Sequence, residues 1–191
     1  MKLVFATHNQ NKFNEVKALV PSNIELLSLN DIGCFDEIPE TAATIAGNAA
    51  LKSTFVKEKY GYDCFADDTG LEVKALNNEP GVFSARYAGA AKNANDNMNK
   101  LLSNLKNKND RTAQFVTVIS LLFKGRQMIF PGICKGEISK EKIGTKGFGY
   151  DPIFIPEGFD KTFAEMSLEQ KSEIGHRGKA MRQLIDYLSK S

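Results

Sequence analysis

The chain has 191 residues, 42% hydrophobic and 25% charged, a composition typical of a globular protein rather than a disordered or membrane-embedded one. Twenty-five Lys and Arg against twenty-three Asp and Glu leave a net charge of +2, too even for the extended basic track of a nucleic-acid binder. Cys34, Cys64 and Cys134 are far apart and form no CxxC pair, so neither a zinc site nor a disulfide framework is supported, and reduced thiols in a cytoplasm fit best.

At the N-terminus Lys2 precedes Leu3-Val4-Phe5, and the chain then turns polar, so a signal peptide is not expected; no apolar run would span a bilayer. Lys2 to Ala6 reads as a buried strand opening into Thr7-His8-Asn9, a helix N-cap. The helix carries Phe13, Val16, Lys17 and Val20 at helical spacing and is closed by Pro21. Ile24 to Leu29 reads as a second strand, and the Ala-rich stretch Thr44 to Tyr60 as a helix with Ala50, Leu51 and Phe55 available for its inner face. Cys64-Phe65-Ala66 and Leu71-Glu72-Val73 read as strands flanking a turn, Asp67-Asp68-Thr69-Gly70. Asn93 to Leu105 is expected to be helical, and Asn104 to Asp110 a surface loop. Phe115 to Phe123 and Gln127 to Ile138 form a hairpin about Lys124-Gly125-Arg126. Met181, Leu184, Ile185 and Leu188 lay an apolar stripe along a final helix. Helices and strands alternate early and a hairpin dominates later, which predicts a mixed α/β fold in one domain over residues 1–191.

Four constellations could carry chemistry. Thr7-His8-Asn9-Gln10-Asn11-Lys12 sits where a helix N-terminus presents unpaired N–H groups, suited to phosphate; it is not a Walker loop, and simple capping by Thr7 or Asn9 is the alternative. Glu40, Asp67 and Asp68 are acidic residues of the kind that hold Mg²⁺, which takes one or two carboxylates plus substrate phosphates. In a strand only one of Asp67 and Asp68 would face a given side, and a plain turn is the alternative. Gly147-Phe148-Gly149-Tyr150-Asp151-Pro152 would let a ring stack on a base, or would be a glycine-rich turn burying two aromatics. Lys171-Ser172 followed by His176-Arg177 offers donors for carbonyl oxygens of a purine edge, or is a solvated basic helix start.

Together these segments resemble the inosine triphosphate pyrophosphatase family, the non-standard purine nucleoside triphosphatases. The matching pieces run in order along the chain: Ala6-Thr7-x-Asn9-x-x-Lys12, Glu40-Thr41, Asn48-Ala49-x-x-Lys52, and Ala66-Asp67-Asp68-Thr69-Gly70-Leu71. Pro80 to Tyr87, Gly147 to Phe154, Lys171-Ser172 and His176-Arg177-Gly178-x-Ala180 complete the set. The resemblance implies an elongated mixed central sheet flanked by helices, two lobes with a nucleotide cleft between them, and a homodimer. It implies Mg²⁺-dependent cleavage of dITP, ITP or XTP between the α- and β-phosphates, giving monophosphate and pyrophosphate.

Carried over by position, Thr7, His8, Asn9, Gln10, Asn11 and Lys12 hold the triphosphate, and Lys52 adds charge near it. Glu40 and Asp68 bind Mg²⁺, and Asp68 is also the proton acceptor for the attacking water. Thr69, Phe148, Gly149, Tyr150, Asp151, Lys171, His176 and Arg177 form the sugar and base pocket. Three positions depart from the common family pattern: Gly47 stands where Glu is frequent, Gly175 where Ser is frequent, and Thr69 where Ser is common. A 6-carbonyl would satisfy donors such as His176 or Arg177, whereas the 6-amino group of adenine would leave them unpaired, at about 1–3 kcal/mol. Guanine shares the 6-carbonyl, so its exclusion depends on the 2-amino group.

Overall fold

The structure, a computed structural model, describes residues 1–191. A seven-stranded sheet and five α-helices form a mixed α/β fold. The apolar run at the start is β1 (Lys2–Phe5), and its last three residues are buried. Asn9 caps α1 (Gln10–Lys17), its side chain accepting from the Lys12 N–H. The helix stops earlier than the apolar spacing suggests, because Pro21 disfavours helical backbone at Val20. β2 (Glu25–Leu27) pairs parallel with β1. Thr44 caps α2 (Ile45–Tyr60), which ends at Gly61 with a positive φ of 77°.

β3 (Cys64–Val73) corrects the expectation of two strands around a turn: the chain runs extended through Asp67-Asp68-Thr69-Gly70. Turn propensity is outweighed because both aspartates find cations inside the fold, so the strand keeps its ladder without leaving a buried charge unpaired. β3 pairs parallel with β1 and antiparallel with the short β4 (Glu79–Gly81). α3 (Ala94–Asn104), capped by Asn93, leads through the expected loop into β5 (Thr112–Phe123). Only Lys124 and Gly125 link β5 to β6 (Arg126–Ile138); both have positive φ, at 48° and 75°, as a two-residue hairpin turn requires. β7 (Phe154–Pro156) pairs antiparallel with β6, and the strand order is β2-β1-β3-β5-β6-β7, with β4 also on β3. Apolar periodicity does not announce α4 (Leu168–Ile174); a capping box of Ser167 and Gln170 starts it. α5 (His176–Ser189) closes the chain.

The chain divides into two compact units. The first comprises Met1–Asp68, Thr117–Gly132 and Arg177–Ser191; the second comprises Thr69–Val116 and Ile133–His176. In the first, Phe5 and Phe65 stack with ring centroids 4.7 Å apart, packed with Ile119, Leu121 and the α5 residues Met181, Leu184 and Leu188. In the second, Phe115, Phe154 and Phe163 meet beside Leu71, Leu101 and Ile153.

Each core rests on such contacts, so truncating one ring has a calculable effect. Phe65, fully buried, loses its stack and leaves a cavity on substitution. Phe65→Ala should destabilise the protein by about 3–5 kcal/mol, read as a lower urea midpoint at unchanged slope.

Candidate active site

In the first unit the chain leaves β1 at Ala6 and enters α1 through Thr7, His8 and Asn9. Thr7 Oγ1 accepts from the Asn9 N–H at 3.1 Å, and Asn9 Oδ1 accepts from the Lys12 N–H at 3.2 Å. Capping and phosphate binding are therefore compatible: the cap orders the helix start, while Gln10 and Asn11 stay exposed beside it. His8 reaches sideways, its Nε2 lying 2.8 Å from the Asp36 carbonyl. The Asp36 carboxylate accepts from Lys59 and from the Tyr60 hydroxyl at 2.9 and 2.7 Å, which pins the loop leading to Glu40.

Adjacent residues of β3 serve different partners, as strand alternation requires. Asp67 accepts from Lys12 Nζ at 3.0 Å and from Arg177 Nε at 2.9 Å. Arg177 Nη1 also pairs with Glu15, three residues beyond Lys12 on α1. Asp68 instead faces α2: Lys52 Nζ donates to its Oδ1 at 3.3 Å and to Glu40 Oε1 at 2.7 Å. Asn48, four residues before Lys52 on the same helix, lies 3.4 Å from Asp68 Oδ2 and accepts from the Ala42 N–H at 2.9 Å.

These neighbours separate the two carboxylates electrostatically. Burial pushes Asp67 up, but Lys12, Arg177 and Lys52 outweigh it and hold its carboxyl far below the usual range. Burial also pushes Asp68 up; Lys52 and Lys12 oppose this, but Glu40 and Asp67 reinforce it, and the group ends above its ordinary value. Burial lowers Lys12, with Lys52 and Arg177 adding to the effect against the pull of Asp67. Lys52 is raised, since Asp68, Asp67 and Glu40 together overcome its desolvation. Two neighbouring acids are thus shifted in opposite directions by their surroundings.

The second unit gathers another group. Lys171 Nζ lies 2.6 Å from Asp151 Oδ2, which also accepts from the Phe148 N–H at 2.8 Å. The same ammonium stands 4.8 Å above the half-buried Phe148 ring. Gly147 permits this turn: its φ is +74°, and a Cβ there would lie 2.0 Å from Asp151 Oδ2. Tyr150 is buried and donates its hydroxyl to the Ser84 carbonyl at 2.8 Å, with Gly149 beside it. His176 is buried and stacks on Phe115 at 4.5 Å, and Thr69 is half-buried in β3.

The predicted site residues therefore fall into two groups. Thr7 to Lys12, Glu40, Lys52, Asp68 and Arg177 belong to the first unit; Thr69, Phe148 to Asp151, Lys171 and His176 belong to the second. The unit boundaries fall between Asp68 and Thr69 and between His176 and Arg177. Arg177 pairs through Nε with Asp67 and through Nη1 with Glu15, so part of its guanidinium is engaged by acids of the first unit. Sequence reasoning missed Glu15 and gave Asn48 no role beyond its place in a matched motif; the signal for both was their helical spacing to Lys12 and Lys52.

Comparison with known proteins settles the lineage. A model of the Ham1 family matches residues 3–187. The chain belongs to the Ham1 family. A dITP/XTP pyrophosphatase from Flavobacterium johnsoniae is 66% identical over 189 residues, covering 99% of this chain and 98% of the relative. The solved Ham1 protein of Staphylococcus aureus superposes with a TM-score of 0.90 at 42% identity, covering 100% of this chain and 99% of that one. A HAM1 protein from Coxiella burnetii gives 0.92 at 35% identity with full coverage of both. The Ham1 relationship bears out the family that the ordered motifs resembled and the mixed α/β fold.

Glu40 and Asp68 are the side chains whose oxygen donors could hold a divalent cation. Glu40 and Asp68 converge on one ammonium, and each adds to the negative field of the other. Mg²⁺ prefers one or two such carboxylates, with phosphates and waters completing its shell.

The depressed Asp67 makes folding stability pH-dependent. Its stabilising contribution is full above its unfolded value of about 4 and is lost as pH falls through the lower folded value. Urea midpoints measured from about pH 6 to about pH 2.5 should fall more steeply for the native chain than for Asp67→Asn. Parallel curves would remove Asp67 as a source of acid sensitivity.

Proposed function

We propose that this chain hydrolyses non-standard purine nucleoside triphosphates, dITP, ITP and XTP, to the monophosphate and pyrophosphate, with Mg²⁺ as cofactor. The observation that carries this reading is Asp68: a buried carboxylate raised above its ordinary value, flanked by Glu40 and Lys52 and close in the fold to a capped helix start with a lysine. The dITP/XTP pyrophosphatase name borne by a relative 66% identical over nearly its whole length supports the substrate class.

Under this reading Thr7 to Lys12 receive the triphosphate. The free N–H groups at the start of α1 and the Lys12 ammonium meet the anionic end of the nucleotide and hold the pyrophosphate as it leaves. Asp68 accepts the proton of the attacking water; burial, Glu40 and Asp67 raise it above its ordinary value, and Lys52 and Asn48 fix its orientation. Lys52 adds positive charge beside the phosphates. Glu40 and Asp68 would hold Mg²⁺, which when bound would neutralise phosphate charge and polarise the water. Phe148 offers its ring to the base, and Asp151 and Lys171, locked to each other, present a charged edge to base or sugar. The family resemblance assigns Thr69, Gly149, Tyr150, His176 and Arg177 to sugar and base binding. A cytoplasmic homodimer working as one domain over residues 1–191 belongs to the same reading and rests on the family resemblance.

Pyrophosphate release from dITP, XTP, dATP, dGTP and dTTP, with and without EDTA, tests the reading directly. Pyrophosphate from dITP and XTP in the presence of Mg²⁺ is expected; orthophosphate as the product, or no preference within the panel, would overturn it. Asp68→Asn should reduce turnover of dITP by at least about 10²-fold while nucleotide binding, followed by calorimetry, persists. Turnover near that of the native chain would remove Asp68 as the base.

A further inference from the structure

The side chain of Asp67 is fully buried, and each of its carboxylate oxygens accepts from a different cation. Lys12 approaches one oxygen and Arg177 the other. Arg177 is held from its far side by Glu15, and Glu15 lies one helical turn after Lys12 on α1. The ion pairs therefore begin and end on the same helix, with β3 and the start of α5 contributing the middle members. Arg177 and Glu15 side chains are 4% and 10% exposed, whereas Lys12 keeps 14% of its surface open. Lys12 is the least buried of the four.

A buried ion pair is weak evidence for stability, since well-packed apolar residues often replace one at little cost. Its value here lies in geometry. A lysine has a flexible four-carbon stem, and ordering that stem when substrate arrives would oppose binding and reaction. Asp67 orders it beforehand. Its own carboxylate cannot swing, because Arg177 fixes the second oxygen and Glu15 fixes Arg177.

We propose that Asp67 is a positioning residue for the reaction: with Arg177 and Glu15 behind it, it holds the Lys12 ammonium where the leaving pyrophosphate develops its charge. This rests on the reading of Lys12 as the cation that grips pyrophosphate. A small displacement of such a group costs rate more than affinity.

A double-mutant cycle on Asp67→Asn and Lys12→Ala, with kcat and KM measured for dITP and Mg²⁺, tests it. Asp67→Asn should lower kcat roughly 10²-fold with KM changed by less than about 3-fold, and Lys12→Ala should lower kcat by a similar factor. In the Lys12→Ala background, Asp67→Asn should lower kcat by less than about 3-fold further, because the group it positions is gone. Losses that multiply to roughly 10⁴-fold, or an unchanged kcat in Asp67→Asn alone, would overturn the positioning role. Full turnover in Lys12→Ala would remove the pyrophosphate role of Lys12 and the positioning role with it. If circular dichroism finds Asp67→Asn unfolded, Glu15→Gln takes its place in the cycle: a kcat loss of roughly 10-fold that vanishes without Lys12 supports the proposal, and an undiminished loss overturns it.

Discussion

A carboxylate placed inside a β-strand has to be answered by cations from elsewhere in the fold, and Asp67 is the point at which this chain meets that demand. Its neighbours come from α1 and α5, separated by more than a hundred residues in sequence. Leaving such a charge unpaired would cost several kcal/mol, of order 3–5 when one partner is removed. The positions of α1 and α5 in the first unit are therefore coupled to one side chain of β3. The start of α1 is anchored by the same contacts.

The next residue shows how strand geometry turns sequence adjacency into division of labour. Asp67 and Asp68 are chemically identical and covalent neighbours, but alternation sends them to different surroundings. One lies among three cations and is held below its ordinary range; the other shares Lys52 with Glu40 and is pushed upward by burial and like charge. Neither assignment follows from the Asp-Asp dipeptide. Both follow from what α1, α2 and α5 bring to each face.

In the second unit one glycine performs a comparable service. The Asp151 carboxylate occupies the space where any other residue at position 147 would carry its Cβ, so Phe148, Asp151 and Lys171 lock together around a missing side chain. The Lys171 ammonium above the Phe148 ring fixes the aromatic plane as well as the charge. Burial pushes Tyr150 well above its ordinary range, and its hydroxyl, donated to the Ser84 carbonyl, acts as a structural tie to the Pro80 to Tyr87 segment.

Much of this was legible in the residues alone. The Asn9 and Thr44 caps, the α2 helix, the Lys124-Gly125 hairpin and the apolar stripe of α5 depend on local backbone chemistry and periodicity, which travel with the sequence. Ordered motifs singled out Glu40, Lys52 and Asp68 one by one, but that a single ammonium bridges the two carboxylates was not written in them. The unbroken β3 strand was not legible, since Asp-Asp-Thr-Gly favours a turn wherever no cation is at hand. Nor was the commitment of Arg177 to Asp67 and Glu15, since a His-Arg pair at a helix start reads equally well as a donor to ligand. Local propensity determined the elements and their ends. Only the tertiary structure decided which charge each acid meets, because electrostatic partners are chosen by distance in space and not along the chain.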